Sequence, residues 1–141
     1  MAQQLRGQCL CGAVRYVASG AIKRVSACYC GQCRQQNGGG PFYGVEWQGE
    51  LEVDDASALT WFDSSEKAKR AFCQRCGSSL FWQANADPSF FDVSLGTLEE
   101  IGQLSLDAHI FVDSCPDYMT VPNNAPHFTE QQVLANPLKD S

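Results

Sequence analysis

The chain's cysteines are the residues whose types and spacing most clearly predict chemistry. There are eight of them, and all but Cys115 fall into short clusters. Thiolates spaced C-x-C or C-x-x-C reach one ion from a single turn, and zinc takes four ligands. We therefore expect metal binding. The clusters are Cys9 and Cys11, then Cys28, Cys30 and Cys33, then Cys73 and Cys76.

The first and third clusters share a feature that predicts one common site. In each, a glycine follows the second cysteine, namely Gly12 after Cys11 and Gly77 after Cys76. A glycine there tolerates the positive φ that lets backbone N–H groups point at sulfur. We expect Cys9, Cys11, Cys73 and Cys76 to form a closed, structural zinc site. The alternative is that they are simply buried, reduced cysteines.

The middle cluster supplies three thiolates, so its fourth ligand decides what it does. Cys115, His109 and His127 are the remaining thiol and imidazole ligands. A lone cysteine is more often a small buried hydrophobe than a ligand, and we expect His109 to be hydrogen-bonded in the core. The spacing favours a zinc held by Cys28, Cys30 and Cys33 with an open fourth position, although closure by a protein side chain stays an alternative.

An open zinc with three thiolate ligands has a restricted chemistry. It lowers the pKa of an incoming thiol and holds the resulting thiolate beside an electrophile. That chemistry makes or breaks carbon–sulfur bonds. Hydrolysis is disfavoured, because three thiolates quench much of the Lewis acidity and no Glu or His stands in the cluster as a base.

The composition limits the setting in which these cysteines work. A formal charge of -6 argues against a nucleic-acid partner, and no apolar run approaches the length of a membrane span. Residues 1–8 lack the apolar core of a signal peptide, so we expect the cytoplasm. A reducing compartment and a cysteine fraction below that of disulfide scaffolds favour metal over disulfides. Oligomeric state is not predicted.

Short alternating, β-branched or aromatic runs must position the clusters. They predict strands, and therefore a mainly β fold of short antiparallel strands. Two helices are expected, at 31–37 after the middle cluster and at 129–135, where Thr129 is a candidate cap and Pro137 would end the helix. We expect one domain over 1–141, with an ordered core at about 4–128 and a C-terminal tail at 129–141. The predicted strands are 13–17, 42–47, 50–53, 58–62, 70–72, 79–82, 90–95 and 108–112.

With these residues placed, the chain resembles the glutathione-dependent formaldehyde-activating family, whose domain also occurs in centromere protein V. The resemblance covers most of the chain and includes all seven clustered cysteines. One departure is Tyr29, which stands where the family commonly has His and so removes a titratable imidazole from the cluster. The matching segments are 9–16 (CLCGAVRY), 28–34 (CYCGQCR), 72–80 (FCQRCGSSL), 96–98 (GTL) and 109–112 (HIFV).

The resemblance implies an Mss4-like (β-tent) fold, two zinc ions per chain and a carbon–sulfur lyase activity. The structural zinc would lie at Cys9, Cys11, Cys73 and Cys76, and the catalytic zinc at Cys28, Cys30 and Cys33. The substrates would be glutathione, as a low-molecular-weight thiol, and a small aldehyde such as formaldehyde. Glutathione carries two carboxylates, so cations are expected near the zinc. Arg34 is the best-placed candidate, ahead of Lys23, Arg24, Lys67, Lys69 and Arg75.

Two hypotheses from other classes compete with an enzyme. A non-catalytic zinc module would bind a thiol or a protein partner, with Trp47, Trp61 or Trp82 as an exposed anchor, although aromatic residues in β proteins usually lie in the core. A redox sensor would switch the middle cluster between dithiol and disulfide, and would release zinc on mild oxidation.

Overall fold

The computed structural model describes residues 2–121 and 125–135. Its two helices are α1 (Gly31–Asn37) and α2 (Glu130–Ala135). Short 3-10 turns occupy Ala56–Ala58, Leu95–Thr97 and Val112–Ser114. The strands are β1 (Gln3–Gln8), β2 (Arg15–Cys28), β3 (Phe42–Val53), β4 (Leu59–Phe62), β5 (Ala68–Cys73), β6 (Ser79–Ala84), β7 (Phe90–Ser94), β8 (Ala108–Ile110) and β9 (His127–Phe128).

One sheet contains every strand of the described residues, which confirms the mainly β prediction. Its order is β4-β5-β6-β7-β3-β2-β8-β9, and β1 pairs with the first half of β2. Two details differ from the expectation of short antiparallel strands. β2 and β3 run for 14 and 12 residues, and β8 pairs in parallel with both β2 and β9.

The core lies on one face of the sheet, to which every second residue of several strands points an apolar side chain. Tyr16 packs edge-on against Phe81, with ring centroids 4.9 Å apart, and Trp47 stacks on Phe91 at 6.3 Å. Cys9 and Cys73 are also fully buried in this cluster. The first and third cysteine clusters are therefore anchored in the main core.

Helix α2 forms where the sequence predicted it, within the segment expected to be a tail. Thr129 begins it with a reciprocal cap: its Oγ1 accepts from the Gln132 backbone N–H at 3.2 Å, and its own N–H donates to Gln132 Oε1 at 2.8 Å. The backbone N–H of Glu130 donates to Asp113 Oδ1 at 2.8 Å, which ties the helix to the 3-10 turn after β8. Pro137, expected to end this helix, lies outside the described residues.

Neither helix of the described part of the chain is long and apolar enough to cross a membrane.

Candidate active site

Four cysteines converge from two separate parts of the sequence, one near its start and one near its middle. The Sγ atoms of Cys9, Cys11, Cys73 and Cys76 all lie within 4.8 Å of one another. Cys11 Sγ is 3.7 Å from that of Cys9 and 3.8 Å from that of Cys73. Four sulfurs bound tetrahedrally to one zinc ion at about 2.3 Å would lie about 3.8 Å apart. These two spacings therefore match those of four sulfurs around one zinc ion.

The turns that carry these cysteines explain the two glycines. Gly12 and Gly77 have φ of 80° and 77°, the left-handed region that glycine adopts without strain. The Val14 N–H then points at Cys9 Sγ at 3.3 Å, and the Arg75 N–H points at Cys73 Sγ at 3.4 Å. Donors aimed at sulfur favour the thiolate that a metal needs.

Ser78 links the two turns. Its Oγ accepts a hydrogen bond from the Leu10 backbone N–H at 3.0 Å, which leaves its hydroxyl proton to point at Cys76 Sγ, 3.1 Å away. Hydrogen bonds from Ser78 hold the pKa of Cys76 at about 5. One side chain thus connects both halves of the site.

The middle cluster forms a second group at the junction of β2 and α1. Cys28 ends β2, Cys30 is the residue that caps α1, and Cys33 lies in the helix's first turn. Their three Sγ atoms lie within 4.8 Å of one another, and the Cys33 N–H donates to Cys30 Sγ at 3.4 Å. Hydrogen bonds from Cys28 and Cys33 lower the pKa of Cys30 to about 2, while the same contacts raise that of Cys28. Without a cation, the three sulfurs compete for ionisation.

None of the candidate fourth ligands joins this group in the described part of the chain. No other Cys, His, Asp or Glu ligand atom lies with the three sulfurs. His109 is buried in the core, where its Nδ1 is 3.0 Å from the Tyr29 hydroxyl, as the core expectation required. His127 packs against His109 at 5.2 Å, and Cys115 lies within 3.7 Å of the Met119 carbonyl.

A cavity of about 710 Å³ opens beside the middle cluster. Its size suits a small peptide or cofactor-sized ligand. Trp82 and Phe90 give part of the wall apolar character, and Glu130 and Val133 extend it from α2. Its polar wall contains Cys28, Cys30, Cys33, Arg70, Lys67, Glu46 and Asp92.

Five of the sheet's strands contribute one residue each to a row beneath this cavity, which we call the charged row. It consists of Arg24, Glu46, Asp92, Trp82 and Arg70, each the direct cross-strand partner of the next. Direct partners point to the same face of a sheet.

The two ends of the charged row are neutralised, but its centre is not. Arg24 Nε donates to Glu46 Oε2 at 3.0 Å, and Ser26 Oγ donates to the same oxygen at 2.9 Å. At the other end Arg70 donates to Cys33 Sγ at 3.5 Å. Asp92 and Glu46 face each other in the middle, where like charges are destabilising.

The pKa values of the two carboxyls reflect this arrangement. Burial raises the pKa of Asp92 well above its usual range, and Glu46 raises it further, against the pull of Arg24 and Arg70. Burial also raises the pKa of Glu46, although Arg24 opposes the shift. Gly44 leaves room for this pair, since a Cβ there would lie 2.7 Å from Asp92 Oδ2.

The structure places the remaining predicted residues with mixed results. Arg34 lies on α1 directly after Cys33 but not on the wall of the cavity, while Lys67 lies on it. Trp47 is fully buried, as aromatic residues in β proteins usually are, so it is not available as the exposed anchor of a non-catalytic module.

Sequence reasoning missed Arg70, Glu46 and Asp92. The sequence feature that could have identified them is a charged residue inside an apolar strand, as in Val45-Glu46-Trp47. A charged residue that is buried in such a strand is usually paired with another group or has a function.

Three comparisons place this chain among known proteins. The sequence model of a family described as glutathione-dependent formaldehyde-activating enzyme matches residues 4–114. An uncharacterized lyase of Schizosaccharomyces pombe is 25% identical over 136 residues, which span 96% of this chain and 98% of that protein. The crystal structure of a Rhodobacter sphaeroides protein shares the fold, with a TM-score of 0.55 and 20% identity over 87% of this chain and 99% of that one.

Proposed function

The chain belongs to the glutathione-dependent formaldehyde-activating family, and on that premise we propose that it is a zinc-dependent carbon–sulfur lyase. It binds a low-molecular-weight thiol such as glutathione at Cys28, Cys30 and Cys33, and adds that thiol to a small aldehyde such as formaldehyde, or releases it. The similarity to a lyase supports the class of reaction. The observation that carries the proposal is the position of these three sulfurs in the wall of the 710 Å³ cavity.

The two cysteine groups differ in the way that this function requires. Four cysteines complete a tetrahedron and leave no position for a substrate, whereas three leave one. We assign one zinc ion to each group. When bound at the three-cysteine group, zinc supplies a Lewis acid that keeps a thiol ionised at neutral pH.

The residues around the cluster serve binding and exclusion of water. Arg70, which is 5% exposed, holds Cys33 by its hydrogen bond and fixes the sulfur's position. Trp82 and Phe90 give the cavity an apolar wall, and exclusion of water by such a wall would strengthen charge interactions inside it. The reaction is redox-neutral: a C–S bond forms, the C=O π bond breaks, and the thiol proton ends on the new hydroxyl oxygen. We place the enzyme in the cytoplasm, where thiols stay reduced.

The test is hemithioacetal formation from glutathione and formaldehyde above the uncatalysed rate. We expect acceleration by the zinc-loaded protein and none by Cys30→Ser. Cys115→Ser is the matched control, because Cys115 lies in neither group, and it should keep the activity. Equal rates for wild type, Cys30→Ser and buffer would remove formaldehyde from the proposal.

A further inference from the structure

When both of its carboxyls are ionised, the charged row contains one more negative charge than Arg24 balances, because Arg70 is hydrogen-bonded to Cys33. Arg24 is committed to Glu46 through its Nε, and Arg70 is committed to Cys33. With both carboxyls ionised, Asp92 has no hydrogen-bonded cation in the described part of the chain. The pair is thus complementary to a single positive charge.

A buried polar atom at the same place points to a ligand. Glu46 is 1% exposed and its Oε1 is buried without a hydrogen-bond partner in the described structure. Unpaired buried polar groups cost free energy, so they persist where function needs them.

A primary ammonium fits this site better than a metal ion. It carries one charge and three donors, which match the oxygens of two carboxyl groups. Calcium or magnesium would need about six oxygen ligands, and the charged row provides carboxyl oxygens from Glu46 and Asp92 alone.

A single side chain, that of Arg70, separates the carboxyl pair from the three-cysteine group. Arg70 contacts Cys33 directly and acts electrostatically on Asp92. We infer that Asp92 and Glu46 bind the ammonium group of the thiol substrate, so that the enzyme selects thiols carrying an ammonium group over neutral or anionic thiols. The inference rests on the proposed function, since it assumes that a thiol occupies the cavity.

Calorimetric binding to the metal-loaded protein tests the charge preference without any turnover. The probes are cysteamine, with an ammonium group, glutathione, neutral 2-mercaptoethanol and anionic 3-mercaptopropionate. We expect cysteamine to bind about 10-fold to 100-fold more tightly than 2-mercaptoethanol, the range for a hydrogen bond to a charged group. Asp92→Asn should abolish that preference and leave the affinity for 2-mercaptoethanol within about twofold.

Two matched variants separate local recognition from net charge. Asp54→Asn removes the same charge from an exposed position after β3, outside the cavity wall, and should keep the preference. Glu46→Gln should reduce the preference, while Glu52→Gln, exposed on the same strand, should not.

The outcomes distinguish this inference from the function on which it rests. Equal affinities for cysteamine and 2-mercaptoethanol in the wild type would overturn the ammonium site and leave the lyase proposal standing. So would an equal weakening of all four thiols by Asp92→Asn. Failure of every thiol, 2-mercaptoethanol included, to bind the loaded protein would overturn both.

Discussion

Tyr29 lies between two cysteines of the middle cluster in the sequence, but its side chain belongs to the core. Its side chain is 2% exposed and its hydroxyl lies 3.0 Å from His109 Nδ1. Burial raises its pKa to about 12, so the phenol is neutral. It does not line the cavity. The residue in the position where the family commonly has His therefore packs the core behind the site.

Replacing Tyr29 with Phe should reduce stability without affecting the site. The change leaves His109 without one hydrogen bond in a buried place, at a cost of about 1 kcal/mol in the free energy of unfolding. Denaturant unfolding measures this, with Tyr43→Phe, an exposed tyrosine, as the control. Metal content and thiol binding should not change. A loss of metal in Tyr29→Phe would contradict the core role.

Asp92 should give stability a pH dependence whose sign follows from its raised pKa. A carboxyl with a raised pKa in the folded state stabilises the fold below its unfolded pKa, and loses that contribution as pH rises through the folded value. The groups acting on it are Glu46, Arg24 and Arg70. Asp92→Asn removes the titration, so its stability relative to the wild type should increase as pH rises from the ordinary aspartate pKa of about 4 toward the raised folded value.

Unfolding of both metal-loaded proteins across that range measures the effect. Asp54→Asn, which removes an exposed carboxyl, provides the baseline and should show no such trend. A constant difference between Asp92→Asn and the wild type would mean that Asp92 titrates normally in the folded protein.

At the scale of elements, the two turns of the four-cysteine group need glycine for its backbone conformation rather than for its small size. Gly77 and Gly96 both have open space where a Cβ would lie, but only Gly77 has a positive φ, at +77°. Gly77→Ala should therefore cost about 1 to 2 kcal/mol of stability, the strain of the left-handed region. Gly96→Ala should be neutral or slightly stabilising. Thermal unfolding of the pair measures the difference, and equal effects would contradict the conformational explanation.

Elements with a local signature were predictable, and those defined by distant partners were not. Short aromatic and β-branched runs identified β6 and β7, and the Thr129 cap identified α2. β1 was missed because Gln3, Gln4 and Gln8 are polar. β8 was expected to reach 112, but it ends at Ile110, because Phe111 takes a φ of 57°. Its parallel pairing with β2 depends on chain segments about eighty residues apart, which no local pattern reports.

The same distinction applies to the site. The cysteine clusters could be predicted, because ligand spacing is a local property of one turn. The charged row was not, because its members come from β2, β3, β7, β6 and β5 and meet only through strand register. Helix α2 adds Glu130 and Val133 to the cavity from beyond residue 114, where the family match ends.

Across the whole molecule, β5 connects the two cysteine groups. It carries Arg70 at the cavity and Cys73 in the four-cysteine group, three residues further along the same strand. One strand therefore carries a residue of each site. The two groups nevertheless differ in the sequence separation of the cysteines that each one joins.

Loss of the metal should accordingly have unequal effects on stability. The four-cysteine group joins residues such as Cys11 and Cys73, which are 62 positions apart, whereas the three-cysteine group lies within a single turn and its approach. Binding free energy at a structural zinc site, about 10 to 16 kcal/mol, becomes folding free energy and is comparable with the whole stability of a domain. Cys76→Ser should abolish cooperative unfolding or lower the Tm steeply. Cys30→Ser should keep the fold and lose one metal equivalent.

Metal analysis and thermal unfolding of the two variants, with Cys115→Ser as the control, decide this. Chelation of the wild type should reproduce both effects in order, because the three-cysteine group is open to the cavity and should release its ion first. That first loss should abolish thiol binding with little change in Tm, and the second should unfold the sheet. Equal Tm values for Cys76→Ser and Cys30→Ser would contradict the unequal roles, because closing the longer chain segment should contribute more to stability than closing the shorter one.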